Sequence, residues 1–283
     1  MPIDYEEEYN NRARVPEHQE IFDRWQRETE AYRAACRDAQ LGLSYGPSKR
    51  QTIDLFPAEN DDAATPLAMF IHGGWWRSLD PSMFSQMAKG LNANGVTVAV
   101  AGYDLVPNVT VSDIIGQIRN ACLFLWRKRH QRLTVVGHSA GGHLAACMTA
   151  QEWKAFAGDA PADLVPSGYG ISGVYDAAPV LKISANADIR LRDEDEARGI
   201  SPVYWPVPAG RSFDSVVGAL ESGEFLRQSR IIVEAWKQAG VEARYEEIAG
   251  TNHFTVIDPL ADAGSAMTAR VAELARRVSA IAL

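Results

Sequence analysis

The stretch Leu133-Thr-Val-Val-Gly-His-Ser-Ala-Gly-Gly-His-Leu-Ala-Ala-Cys147 decides the fold of this 283-residue chain. It runs from an apolar strand through Gly137-His-Ser-Ala-Gly141 into a helix of small residues. A Gly-x-Ser-x-Gly sequence between a strand and a helix is typical of a nucleophile elbow, a strained turn whose glycines let strand and helix approach closely. Ser139 is therefore the predicted nucleophile, and the alternative is that Ser139 only caps the following helix.

Around this stretch, short apolar runs alternate with helical periodicity from residue 51 onwards, the pattern of a mostly parallel sheet flanked by helices. Strands are predicted at 52–56, 67–71, 96–101, 133–136, 168–171, 215–219 and 243–248, and helices at 82–92, 112–128, 140–151, 224–238 and 259–280. The polar residues 1–45 predict a helical arm packed on a single domain of residues 46–283. About residues 175–211, a segment rich in Pro, Asp and Arg predicts a short cap-like insertion, with a purely structural excursion as the alternative.

Composition and charge indicate which class of molecule the chain binds. With a net charge of −8, 46% hydrophobic and 23% charged residues, and no basic run, the chain is expected to bind a small-molecule substrate rather than nucleic acid or a membrane. The odd set Cys36, Cys122 and Cys147 predicts free thiols, and the acidic N-terminus predicts no signal peptide, which together indicate a cytoplasmic protein. The arm could cover its own sheet or a neighbour's, so a homodimer stays open.

A serine nucleophile needs a base, and the base needs a third group that holds it. His253 lies in a loop between the last predicted strand and the terminal helix, where the chain order Ser, acid, His places the base. Two carboxylates follow the penultimate strand, Glu221 at its end and Glu224 at the start of the next helix. Glu221 is preferred as the acid because Glu224 has an ordinary role at a helix N-terminus, but the choice between them stays open.

The run Phe70-Ile-His-Gly-Gly-Trp-Trp-Arg77 follows a buried strand, and its glycines allow backbone amides to turn towards a ligand. The amides of Gly73 and Gly74, together with that of Ala140, are the predicted oxyanion donors. The alternative is a glycine turn that only closes the strand.

Three histidines, His72, His138 and His143, lie near the elbow in sequence. They lack zinc-protease spacing and have no accompanying Cys or carboxylate ligand set, so structural hydrogen bonding is expected and no metal is. The proposed chemistry requires no cofactor.

Taken together, these residues resemble the arylformamidase (kynurenine formamidase) family of α/β-hydrolases, which is distantly related to hormone-sensitive-lipase-type esterases. The similar segments cover most of the chain: Tyr9–Pro16, Tyr45-Gly46, Asp54–Phe56, His72–Trp76, Gly137–Gly141, Ile171–Asp176, Ser201-Pro202, Glu221–Ser229 and Asn252–Phe254. In animal members an aspartate stands where this chain has Glu221, followed by the same Ser-x-Glu-Phe-x-Arg-Gln-Ser pattern, so the resemblance supports Glu221. The additional methylene of glutamate requires compensation elsewhere. The first tryptophan of the oxyanion loop is often a tyrosine in the family.

The resemblance implies the α/β-hydrolase fold and hydrolysis of N-formyl-L-kynurenine to formate and L-kynurenine through a formyl-enzyme. Substrate contacts are expected from Trp75, Trp76, Ser172 and Tyr175, with core packing as the alternative for the two tryptophans. The other functions considered are a carboxylesterase, or a carbamate or amide hydrolase of short-acyl substrates with the same triad. A catalytically silent fold that binds a small molecule is the alternative outside enzymes.

Overall fold

The computed structural model describes residues 3–280, and one mixed sheet runs through it. Its strands are β1 Gln40–Ser44, β2 Thr52–Phe56, β3 Leu67–Ile71, β4 Thr97–Ala101, β5 Thr134–His138, β6 Ser167–Ile171, β7 Ser212–Gly218 and β8 Glu242–Ile248. They lie in the order β1-β2-β4-β3-β5-β6-β7-β8, with β1 and β2 antiparallel to their neighbours and the rest parallel. This mostly parallel sheet confirms the predicted fold class.

Helices cover both faces of the sheet. The α-helices are α1 Tyr5–Tyr9, α2 Asn11–Arg14, α3 His18–Ala35, α4 Lys89–Ala93, α5 Val111–Arg129, α6 Ala140–Thr149, α7 Trp153–Phe156, α8 Asn186–Ile189, α9 Glu194–Gly199, α10 Gly223–Gln238 and α11 Ala266–Ser279. Short 3₁₀ helices lie at Pro81–Met83, Ser85–Ala88, Ala178–Lys182, Pro202–Tyr204 and Thr255–Ala261.

The central strands are buried on both faces, which is why they read as continuous apolar runs. Because successive side chains alternate across a strand, Met69 of β3 packs with α5 and α6, whereas Phe70 packs with α3 and α11. The two resulting cores fix the strands whose carboxyl ends form one edge of the sheet.

Two predicted helices differ from those observed. Residues 82–92 form two 3₁₀ turns and the short α4 instead of one helix. Residues 259–280 are divided because Pro259 lies inside a 3₁₀ helix and Ser265 then caps α11, its hydroxyl accepting from the amide of Thr268. β1 has mostly exposed side chains and only two apolar residues, Leu41 and Leu43, so it lacks the apolar run by which the central strands were predicted.

The arm and the insertion meet above the carboxyl edge of the sheet. Tyr9 of α1 donates to Glu224 at 2.8 Å, and Trp25 of α3 donates to Asp258 at 3.1 Å. The region 175–211 consists of α8, α9 and two 3₁₀ helices, and its Ser184 donates to Glu6 of the arm. Residues 1–2 of the predicted arm and 281–283 of the predicted domain lie outside the described residues.

The three cysteines are free thiols, and Cys122 and Cys147 are buried. Across residues 3–280, every helix is too short or too polar to cross a membrane.

Candidate active site

Ser139 occupies a strained turn directly after β5. Its φ of +56° is unfavourable for a residue with a Cβ, and its side chain makes no capping hydrogen bond to α6. A Cβ on Gly137 would lie 2.0 Å from the carbonyl oxygen of Gly141, and a Cβ on Gly141 would lie 2.0 Å from that of Ile71. Both glycines are therefore required for the turn, and Ser139 is an elbow residue rather than a helix cap.

His253 and Glu221 reach Ser139 from the loops after β8 and β7. The Ser139 hydroxyl lies 3.1 Å from His253 Nε2, and His253 Nδ1 donates to Glu221 Oε2 at 2.6 Å. The second oxygen, Glu221 Oε1, accepts from the Gly218 amide at 2.8 Å and from the Ser172 hydroxyl at 2.5 Å. These two bonds hold the glutamate side chain in place beside His253.

Glu224 takes no part in this chain of hydrogen bonds. It accepts from the Tyr9 hydroxyl and from Gln228, and it forms an ion pair with Arg227 at 2.7 Å. The geometry thus resolves the two carboxylates: Glu221 contacts His253, whereas Glu224 anchors the arm.

The predicted oxyanion loop lies beside the elbow. A Cβ on Gly73 would lie 2.9 Å from Ser139 Cβ, so the loop can approach the serine only with glycine at this position. Gly74 and Trp75 both have positive φ, +106° and +55°. Within residues 3–280, the amides of Gly73, Gly74 and Ala140 have no hydrogen-bond acceptor, which leaves them able to bind an oxyanion.

Each of the three histidines near the elbow makes a hydrogen bond to a backbone carbonyl. His72 donates to Gly73 at 2.8 Å, His138 to His253 at 2.7 Å, and His143 to Ile200 at 2.6 Å. Burial lowers the pKa of His72 and of His143 to about 4, and burial together with the neighbouring His253 holds that of His138 well below its usual range. All three are neutral at pH 7. The described residues contain no group of three ligands able to hold a metal ion.

A cavity of about 480 Å³ opens onto Ser139 and His253. Gly74 and Trp75 of the oxyanion loop form one part of its wall. The arm supplies residues 9–12 and the insertion supplies residues 183–185, so both segments enclose the site. The residue patterns alone did not predict that the arm lies at the site. The one indication was the segment Tyr9–Pro16, which is similar to the family and belongs to the arm.

Three of the four predicted substrate contacts lie elsewhere. Trp76 is fully buried and packs edge-on against His143, with ring centroids 5.0 Å apart. Ser172 is fully buried and bonds Glu221 instead of facing the cavity. Tyr175 lies in the core against Phe213, because Gly170 and Gly173 leave room for its ring beneath the site. Among these four residues, Trp75 is the one that lines the cavity.

Known proteins with similar sequences include kynurenine formamidases. The enzyme of Danio rerio is 25% identical, over 81% of this chain and 79% of its own length, and that of Drosophila melanogaster is 29% identical, over 77% and 76%. The family model described as BD-FAE matches residues 53–186.

Two solved structures of other proteins are similar to this chain in fold. A candidate thioesterase from a Silicibacter species is 32% identical, covers 95% of this chain and 99% of its own, and superposes with a TM-score of 0.86. A bacterial esterase of the hormone-sensitive lipase family shares the fold at 19% identity and a TM-score of 0.67, covering 94% of this chain and 99% of its own. The chain is a hydrolase, and it belongs to the arylformamidase (kynurenine formamidase) family of α/β-hydrolases.

Proposed function

We propose that this hydrolase cleaves N-formyl-L-kynurenine to formate and L-kynurenine, with Ser139, His253 and Glu221 as its catalytic triad. The observation that carries the proposal is the unbroken series of hydrogen bonds from Ser139 through His253 to Glu221 at the floor of the cavity. The kynurenine formamidases among its relatives supply the substrate class.

In the acylation step, His253 Nε2 removes the hydroxyl proton while Ser139 Oγ attacks the formyl carbon. The amides of Gly73, Gly74 and Ala140 stabilise the oxyanion that develops on the formyl oxygen. Glu221 holds Nδ1 protonated and stabilises the imidazolium. His253 then donates its proton to the departing arylamine, which breaks the C–N bond and leaves Ser139 formylated.

In the second step, water replaces the amine. His253 removes a proton from the water as its oxygen attacks the formyl carbon, and the same amides bind the second oxyanion. When that intermediate collapses, His253 returns the proton to Ser139 Oγ and formate leaves. The neutral His138 supports this sequence, because its bond to the His253 carbonyl fixes the loop without adding a competing charge.

Trp75 is the residue proposed to contact the aryl ring and to limit the acyl group. It lines the cavity and lies edge-on to Tyr9, with ring centroids 5.3 Å apart. Replacing Trp75 by alanine should open this wall and weaken the preference for formamide over acetamide. Unchanged selectivity would remove Trp75 from the proposal while leaving the triad intact.

The second candidate is a carboxylesterase with the same triad, which is supported by the similarity to the candidate thioesterase from a Silicibacter species at 32% identity. The two are separated by kcat/KM on N-formylkynurenine and on p-nitrophenyl formate, acetate and butyrate. A formamidase should turn over the formamide efficiently and lose activity steeply beyond the formyl ester. Efficient turnover of acetate and butyrate with no turnover of the formamide would assign the protein to the esterases.

A further inference from the structure

The arm places an unpaired positive charge at the wall of the cavity. Four Arg, Asp or Glu side chains line it among the described residues: Glu6, Arg12, Arg77 and Asp188. Arg77 and Asp188 form an ion pair at 2.8 Å, and Glu6 accepts two hydrogen bonds from Ser184. Within residues 3–280 the Arg12 guanidinium has no carboxylate partner and lies only near the Phe22 ring, 5.9 Å from its centroid.

An amide side chain lies next to this charge in the chain. Asn11 also lines the cavity and is 7% exposed, and its side-chain amide has no hydrogen-bond partner within the described part of the chain. The amide group is open to the cavity, where it can donate a hydrogen bond to a ligand. Two donors of one helical turn, an arginine and an amide, therefore face the space that the substrate enters.

The arm is held firmly enough to act as a binding wall. Tyr9 donates to Glu224 at 2.8 Å, and the Glu224 amide donates to Glu8 at 2.8 Å, which ties α1 to the start of α10. The Asn10 side chain accepts from the Ala13 amide and so sets the first turn of α2, the helix that carries Asn11 and Arg12.

We infer that Arg12, assisted by Asn11, binds the carboxylate of an anionic aryl formamide and thereby selects amino-acid substrates over neutral ones. The inference rests on the proposed function, because N-formylkynurenine carries a free α-carboxylate at the end away from its formyl group. An unpaired guanidinium is the expected recognition group for a carboxylate, which it can bind through two parallel hydrogen bonds.

The test compares two competitive inhibitors of p-nitrophenyl formate hydrolysis, L-kynurenine and its carboxamide, which lacks the negative charge. The wild-type protein should bind the acid more tightly by about 10- to 100-fold, and Arg12→Gln should reduce this ratio to about one. Asn11→Ala should reduce it by a smaller factor. Arg14→Gln, on the same helix but outside the cavity wall, is the matched control and should keep the wild-type ratio.

Several results would overturn the inference. A wild-type ratio near one, an unchanged ratio in Arg12→Gln, or the same fall in Arg14→Gln would each do so. Failure of the proposed function is detected separately, as absence of N-formylkynurenine turnover by the wild-type protein. The inhibitor ratio is read from ester hydrolysis, so it still decides the role of Arg12 in that case.

Discussion

The Ser172 hydroxyl lies 2.5 Å from Glu221 Oε1, on the opposite oxygen from the one that contacts His253. Ser172 follows β6 with φ +52° and donates its own amide to Val216 of β7. A residue expected to touch the substrate therefore holds the proposed triad acid instead.

Removing this hydroxyl should slow the chemical step. Ser172→Gly eliminates the bond to Glu221 and adds no strain, because glycine adopts positive φ freely. We expect kcat to fall about 10-fold with KM nearly unchanged, since one hydrogen bond to a charged group is lost away from the substrate. Steady-state kinetics on N-formylkynurenine measures both constants. An increase in KM at constant kcat would instead indicate a substrate contact.

The two carboxylates near the site should respond differently to neutralisation. Glu221→Gln leaves His253 without its anionic partner and should lower kcat by about 10³- to 10⁴-fold. Glu224→Gln is the matched control, since it bonds Tyr9 and Arg227 rather than His253. It should retain most of kcat and lower the melting temperature through weaker anchoring of the arm. A larger loss of kcat in Glu224→Gln than in Glu221→Gln would reverse the assignment.

Gly73 should tolerate no side chain. In Gly73→Ala the new Cβ would meet the His138 carbonyl oxygen and Ser139 Cβ, both at 2.9 Å, and would push the loop away from the elbow. We expect kcat to fall about 100-fold, the scale of losing one oxyanion donor. Gly116→Ala serves as the control because nothing lies within 4 Å of its Cβ, and it should keep full activity. Wild-type kcat in Gly73→Ala would exclude these amides from the oxyanion site.

The buried histidines should make the folded state sensitive to acid. Burial keeps His143 neutral down to a pKa of about 4, whereas the unfolded chain takes up that proton near pH 6.5. The unfolded state therefore binds more protons between these values, so the free energy of unfolding falls as the pH is lowered through that window.

Urea unfolding at several pH values measures this dependence. His143→Gln, which can still donate to the Ile200 carbonyl, should reduce the slope by up to about 1.4 kcal/mol per pH unit. Leu144→Ala, a neighbouring α6 residue with no titratable group, should lower stability by the same amount at every pH. An unchanged slope in His143→Gln would show that His143 is not kept neutral.

The strands and the elbow turn that depend on local sequence were predicted correctly. The bounds of β2 and β3 coincide with the predicted 52–56 and 67–71, because each strand is a short, largely apolar segment between breaks. The elbow was also predicted from local sequence, because its backbone conformation requires the glycines at positions 137 and 141. β1 was missed because this exposed edge strand has only two apolar residues, Leu41 and Leu43, separated by Gly42.

What depends on tertiary packing could not be read from the chain. Trp75 and Trp76 are adjacent and chemically alike, yet only Trp75 faces the cavity while Trp76 enters the core. The position of the arm over the site likewise depends on the long-range bond from Tyr9 to Glu224, 215 residues apart in sequence. Arg12 lines the cavity because the arm is held there, and no local pattern indicates this position.

The central claim is that Ser139 is the nucleophile for formamide hydrolysis, and kcat/KM of Ser139→Ala on N-formylkynurenine tests it most directly. With an unchanged melting temperature, the variant should lose at least about 10³-fold of the wild-type value, leaving only what the amides and binding provide. Activity within about 10-fold of wild type would contradict the account, because a triad without its nucleophile cannot form the formyl-enzyme.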